Sequence, residues 1–180
     1  MSDFTLHASD TAPSASRPIL ENIEGAWGAI PNLHRLLAES PSTLETYGTA
    51  FAAFEASSFT PLERQLVYLA VSVGNECDYC TVAHARLARA AGLEAASIDA
   101  VRDGRPLEEP RLEALRRFSQ AIVVRRGRVA PEETAAFIDA GYTRQQVLEV
   151  ILAVAVKTIS NYVDHVVGVP LETDDASDAA

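Results

Sequence analysis

The chain has 180 residues, 25 of them acidic and 15 basic, which gives a formal net charge of −10 at pH 7. This length fits one well-packed domain, and an acidic chain without a basic cluster is a poor partner for nucleic acid. Apolar residues make up 48% of the chain but aromatic residues only 7%. Such a composition favours helices packed through Ala, Leu, Val and Ile over sheets.

The sequence carries no recognisable targeting or membrane-spanning signal. Residues 1–18 are polar and lack the basic and apolar regions of a secretion signal. The longest apolar run, 147–156, is interrupted by Glu149 and is too short to span a bilayer. We therefore expect a cytoplasmic protein with no membrane association. Its predicted parts are a flexible N-terminal arm over 1–18, a single helical domain over 19–169 and a flexible acidic tail over 170–180.

The apolar periodicity predicts helices throughout the central domain. A capping box at Thr60-Pro61-Leu62-Glu63 marks one strong helix start, and Gly74-Asn75 is the predicted end of the same helix. No segment shows the alternation typical of strands. The fold class is therefore all-α, a compact bundle of about seven to nine helices. The predicted helices cover residues 19–26, 33–38, 42–56, 60–73, 77–91, 94–101, 110–125, 131–140 and 143–167.

Both cysteines of the chain lie in one short stretch, Glu76-Cys77-Asp78-Tyr79-Cys80-Thr81-Val82-Ala83-His84. On a helix, positions 77, 80 and 84 share one face, so the two sulfurs can meet and the imidazole can reach the second one. Cys77 lies near the predicted helix start, where the macrodipole favours a thiolate. In a protein expected to be cytoplasmic, a CxxC pair is more typical of redox or metal chemistry than of a structural disulfide.

The register of His84 predicts different roles for the two cysteines. His84 follows Cys80 by one helical turn, so it is better placed to deprotonate Cys80 than Cys77. Cys80 is then the attacking thiol and Cys77 the resolving one. The thiolate attacks a peroxide, the sulfenic acid condenses with the second thiol, and an external dithiol restores the pair. Two alternatives are a pair of buried structural cysteines and a metal site of Cys77, Cys80 and His84, which lacks the fourth ligand of a structural zinc.

With the helix that precedes it, the CxxCxxxH motif resembles the alkylhydroperoxidase D-like branch of the carboxymuconolactone decarboxylase family. Residues 28–33 and 40–41 also resemble the opening of such proteins, so the resemblance covers about 19–170. It implies an all-helical protein that forms dimers, trimers or hexamers and reduces organic hydroperoxides. The roles that it implies agree with the register, with Cys80 peroxidatic, Cys77 resolving and His84 the proton relay.

One position departs from this family's pattern. The relay of the family includes a glutamate twelve residues before the first cysteine, and here that position is Gln65. A glutamine can hydrogen-bond but cannot act as a base. Glu76 and Glu63 are the nearby carboxylates that could substitute, although Glu63 is also the expected partner in the capping box.

The leading functional hypothesis is a thiol-dependent peroxidase without a bound cofactor or metal, in which Cys80, Cys77, His84, Gln65 and Glu76 form the site. Its expected partners are a small hydroperoxide, an external dihydrolipoyl or thioredoxin-like dithiol, and further copies of the chain. The homo-oligomer is expected because nearly all-apolar helices often bury one face against a copy. The alternatives are a cofactor-free lyase or isomerase of the carboxymuconolactone decarboxylase type and a non-catalytic redox sensor.

Overall fold

The structure is a computed structural model that describes residues 4–172. Over these residues it is all-helical, with nine α-helices and no strand, so the predicted fold class is confirmed. The helices are α1 (Arg17–Trp27), α2 (Asn32–Leu37), α3 (Pro41–Glu55), α4 (Pro61–Gly74), α5 (Asp78–Ala90), α6 (Ala95–Arg102), α7 (Pro110–Val124), α8 (Pro131–Asp139) and α9 (Arg144–Val167).

Helix α4 is the centre of the bundle and packs against α5, α6, α7 and α9. Residues 66–72 are buried on every side of this helix, as expected for a run that is apolar nearly all round. Its start is the predicted capping box, because the Thr60 hydroxyl accepts from the Glu63 N–H and the Glu63 carboxylate accepts from the Thr60 N–H.

The turn between α4 and α5 places the cysteine motif. The Cys77 N–H donates to the Ser72 carbonyl and the Glu76 N–H to the Val73 carbonyl, which is the Schellman pattern of helix ends. Its left-handed residue is Glu76, with φ of 57°, rather than a glycine. Gly74, predicted to follow the helix, is its last residue, and a Cβ there would lie 3.4 Å from a Val123 methyl group of α7.

The described parts of both termini make contacts with the helical domain. Residues 7–16 lie against α2, where His7 contacts Glu39 at 2.8 Å and the Ser16 hydroxyl donates to the Ala38 carbonyl. At the other end, the Glu172 carboxylate accepts from the Asn32 N–H at 2.7 Å. The polar composition had suggested solvation, but these groups satisfy one another. Residues 1–3 and 173–180 lie outside the described part.

Helix α9 is both a core element and the longest apolar helix. By length and composition alone it could cross a membrane. It packs against α2, α3, α4, α5 and α7, however, and buries several polar side chains in the bundle. These are Gln146, Lys157, Ser160 and Asn161.

Candidate active site

A cavity of about 720 Å³ opens beside the cysteine motif. Cys80 is on its wall, whereas Cys77 is fully buried and does not line it. A smaller cavity of about 250 Å³, between α7 and α8, contains no residue of the motif. The larger cavity is lined by Trp27, Ala29, Ile30, Pro31, Leu33, His34, Tyr47, Phe51, Glu55, Gln65, Tyr79, Cys80, Ala83, His84, Arg86, Leu87, Lys157 and Glu172.

Lys157, in the middle of α9, is the cation at the centre of this site. It is only 1% exposed, and its Nζ lies 3.0 Å from Nε2 of His84. The same ammonium lies near the Cys80 sulfur, whose pKa it helps to lower, and 5.7 Å from the ring centre of Tyr68. A buried charge needs such partners, because removing an unpaired ion from water is costly. Lys157 therefore joins the nucleophile and the imidazole in one buried cluster.

The contacts of His84 define its protonation. An ammonium can only donate, so Nε2 must accept from Lys157 and the ring proton must be on Nδ1. That N–H donates to Oε1 of Gln65 at 3.0 Å. Burial first, and then the charge of Lys157, hold the pKa of His84 well below its usual value. The imidazole is therefore neutral, and its two nitrogens are occupied by Lys157 and Gln65.

The two cysteines differ in acidity. A hydrogen bond from Cys77, together with the charge and hydrogen bond of Lys157, lowers the pKa of Cys80 to about 5 against the opposing effect of burial. The pKa of Cys77 is raised by its hydrogen bond to Cys80, by burial and by Asp164. Cys77 has one thiol proton and two anionic acceptors, since Oδ2 of Asp164 lies 3.2 Å from its sulfur. Either contact keeps Cys77 protonated, which leaves Cys80 as the thiolate of the pair.

The remaining predicted residues fall in different places. Gln65 lies at the site through its contact with His84. The exposed Glu76 does not line the cavity, and its carbonyl lies 3.3 Å from Nε2 of His165. Glu63 is held in the capping box and by Nη1 of Arg111 at 2.6 Å. Neither carboxylate therefore replaces the glutamate that the family's relay uses.

The site residues contributed by α9 were missed in the sequence. Lys157, Ser160 and Asp164 follow an i, i+3, i+7 spacing and contact the cysteine pair from one face of the helix. The Ser160 hydroxyl donates to the Lys157 carbonyl at 3.2 Å and lies close enough to Cys80 to help lower the pKa of its thiol. The available signal was a lysine inside an otherwise apolar helix, because a buried cation is rarely structural alone.

A metal site is not formed by these residues. Over residues 4–172, no group of three or more His, Cys, Asp or Glu side chains is arranged to hold a metal ion. Binding of a metal by Cys77, Cys80 and His84 is also opposed by Lys157. Its ammonium occupies Nε2 of His84, which would otherwise be the nitrogen free to bind the metal.

The sequence profile of the carboxymuconolactone decarboxylase family matches residues 41–107. This range holds α3 to α6 and the whole CxxCxxxH motif, and the resemblance predicted from the motif is confirmed. No significant match was found among curated protein sequences.

Solved structures extend the likeness to the whole chain. The alkylhydroperoxidase AhpD core protein of Ralstonia eutropha JMP134, described as peroxidase-related, superposes with a TM-score of 0.83 at 20% identity, over 97% of this chain and 94% of its own. A peroxidase-related protein of Silicibacter sp. TM1040 gives 0.81 at 16% identity, over 99% and 94%. A variant of the debrominase Bmp8 in complex with 2,3,4-tribromopyrrole gives 0.78 at 16% identity, over all of both chains. The chain therefore has the alkylhydroperoxidase D-like fold.

Proposed function

We propose that this protein is a thiol-dependent peroxidase that reduces organic hydroperoxides through a Cys77/Cys80 dithiol–disulfide cycle. The observation that carries the proposal is the arrangement of the two sulfurs. Cys80 is on the cavity wall beside the Lys157 ammonium, and Cys77 is buried behind it beside Asp164. A thiolate on a cavity wall with a protonated partner thiol is what attack and resolution require.

The reaction proceeds in three balanced steps. The Cys80 thiolate attacks the terminal oxygen of the hydroperoxide, so an S–O bond forms, the O–O bond breaks and an alkoxide leaves. The Cys77 thiol then displaces the hydroxyl of the Cys80 sulfenic acid, which gives the disulfide and water. An external dithiol, dihydrolipoyl or thioredoxin-like, supplies two electrons by exchange and becomes a disulfide itself.

Lys157 and His84 handle the proton in this scheme. The alkoxide takes a proton from the ammonium of Lys157, whose Nζ lies near the attacking sulfur of Cys80. The reductant brings two thiol protons, one of which returns to Cys77 while the other restores the ammonium. His84 accepts from Lys157 and is fixed by Gln65, so its relay to Cys80 runs through the lysine rather than by direct contact.

The test is hydroperoxide consumption with dithiothreitol as reductant. Cys80→Ser is expected to abolish turnover. In a parallel reaction without dithiothreitol, Cys77→Ser is expected to reduce about one equivalent of hydroperoxide and then to retain a sulfenic acid that dimedone labels, because no thiol is present to condense with it. Turnover by Cys80→Ser equal to that of the wild type would overturn the proposal. Activity on a lactone or keto acid that survives loss of both cysteines would favour the lyase alternative. Oxidant-dependent changes of oligomer size without turnover would favour the sensor.

A second candidate, reductive dehalogenation, is favoured by the aromatic lining of the cavity and by the likeness to a debrominase. The same thiols would supply the electrons. The Cys80 thiolate would take bromine from the aromatic carbon, a proton would replace it on the ring, and Cys77 would then release bromide and form the disulfide. Bromide release from 2,3,4-tribromopyrrole, lost in Cys80→Ser, would support this reaction, and no release would exclude it for that compound.

We also propose that the chain self-associates through α9. Four large apolar side chains of this helix are exposed to solvent at helical spacing and form what we call the α9 stripe. An exposed apolar surface of this kind is typical of an interface. The four side chains are Leu148, Ile151, Tyr162 and Val166.

A further inference from the structure

We propose that the cavity beside Cys80 selects planar aromatic substrates. The inference rests on the proposed function for the reaction at Cys80, and it concerns only what the cavity binds. Its basis is a closed circuit of four rings in the cavity lining, formed by Trp27, His34, Tyr47 and Phe51.

The rings in this circuit meet mostly edge to face. The centroids of Trp27 and His34 are 5.2 Å apart with planes at 81°, and those of His34 and Tyr47 are 5.5 Å apart at 62°. Phe51 closes the circuit at 6.1 Å from both Tyr47 and Trp27. Such an arrangement turns ring faces and ring edges toward the same space, and a further aromatic ring can pair with both.

The circuit lies next to the nucleophile. Tyr47 and Cys80 line the same cavity, and burial first, then the nearby charge of Cys80, raise the pKa of Tyr47, so the ring wall lies close to the reacting atom. A substrate whose ring packs in the circuit therefore presents a group attached to that ring to Cys80.

Two features distinguish this circuit from ordinary core packing. Trp27 is 51% exposed, so much of its ring remains available to a ligand in the cavity. His34 is buried, and burial lowers its pKa to about 4, so at neutral pH it is an uncharged ring. Its Nδ1 is buried and has no partner among the described residues, which leaves a polar atom beside the apolar rings.

Binding can be measured without catalysis, because Trp27 is the single tryptophan of the chain and lines the cavity. The probes are 2-phenyl-2-propanol and its ring-saturated counterpart, 2-cyclohexyl-2-propanol, which have the same carbon skeleton but a planar aromatic ring in one and a puckered saturated ring in the other. Titration of the Trp27 fluorescence is expected to show about threefold to tenfold tighter binding of the phenyl compound. Equal affinities, or no change in fluorescence, would overturn the inference.

Two matched variants locate the effect. Phe51→Leu removes one ring of the circuit and is expected to bring the two affinities to within about twofold. Phe4→Leu makes the same change at an exposed position outside the cavity lining and is expected to keep the preference. A preference that persists in Phe51→Leu would also count against the inference.

The corresponding hydroperoxides separate this inference from the proposed function. Cumene hydroperoxide is expected to have a kcat/KM about threefold to tenfold above that of its cyclohexyl analogue. Equal turnover of the two would overturn the aromatic preference and leave the peroxidase intact. If neither is reduced while the phenyl alcohol still binds more tightly, the peroxidase proposal fails and the aromatic site stands.

Discussion

Lys157 and His84 are 73 positions apart in the chain, yet Nζ of one lies 3.0 Å from Nε2 of the other. This contact places the imidazole proton on the nitrogen that faces Gln65. It also puts a buried cation between the imidazole and the nucleophile. Gln65, His84, Lys157 and Cys80 thus form one chain of polar contacts drawn from α4, α5 and α9.

Removing the cation should make Cys80 less acidic. In Lys157→Met the thiolate loses its charged partner, so its pKa rises from about 5 toward the ordinary thiol value. The thiolate forms above the pKa, so the pH below which Cys80 loses its reactivity, the acid limb of the profile, should move to a higher value. Alkylation by iodoacetamide at pH 6 should slow by about tenfold or more.

Lys157→Arg is the matched control, because it keeps the charge and should leave the acid limb within about one pH unit of its original position. Circular dichroism would establish that both variants fold. An unchanged acid limb in Lys157→Met would show that Lys157 does not stabilise the thiolate.

Gln65→Glu tests the position at which this chain departs from the pattern of the family that its motif resembles. A carboxylate 3.0 Å from Nδ1 of His84 stabilises the imidazolium, so the pKa of His84 should rise. Proton transfer at the site should then be easier, and hydroperoxide turnover should increase several-fold. The matched control is Gln120→Glu, which adds the same charge on α7 outside the cavity lining. Turnover that is unchanged or lower in Gln65→Glu would show that the imidazole need not be charged.

His34 should contribute to acid sensitivity. Its pKa is about 4 in the folded protein and 6.5 as the unperturbed value, so the unfolded chain binds the proton first as the pH falls. The stabilisation is complete above pH 6.5 and is lost toward pH 4, by about 3 kcal/mol. Urea unfolding of His34→Phe over this pH range should therefore show a shallower loss of stability than the wild type. The exposed His165→Phe is the control, and equal slopes in His34→Phe and wild type would contradict the assignment.

The α9 stripe predicts the state of association. Sedimentation of the wild type should show an oligomer, and the double change Leu148→Glu and Val166→Glu should shift it to monomer, because charges at an apolar interface are costly. Val124→Glu alters another exposed apolar residue, on α7, and should leave the association unchanged. If the wild type sediments as a monomer, the apolar stripe of α9 is not an interface between copies.

Local signals in the sequence were sufficient for the helices and for the motif. The capping box at Thr60 and Glu63 and the breaks at glycine and proline depend on neighbours within a few residues. The helix face shared by positions 77, 80 and 84 likewise follows from spacing alone, apart from Cys77 lying at the N-cap of α5. These features need no knowledge of the tertiary fold.

The chemistry of the site depends on contacts that spacing cannot give. The hydrogen bond between the two cysteines separates their acidities first, and Lys157 and Asp164, both from α9, add to the difference. Glu76 is adjacent to Cys77 in sequence, but the left-handed turn leaves it exposed and outside the cavity lining. Packing of α9 against α4 and α5 is therefore the information that the sequence pattern lacks.

The position of Cys77 at the N-cap of α5, one turn before Cys80, limits how strongly redox state can couple to folding. A disulfide between them would close a loop of four residues, counting both ends. In the chain-entropy model so short a loop stabilises the fold by only about 2 kcal/mol, against nearly 5 kcal/mol for a loop of about 100 residues. Oxidation should therefore raise the melting temperature by only about 4 to 8 °C, whereas direct counting of free thiols reports the redox state without reference to the fold.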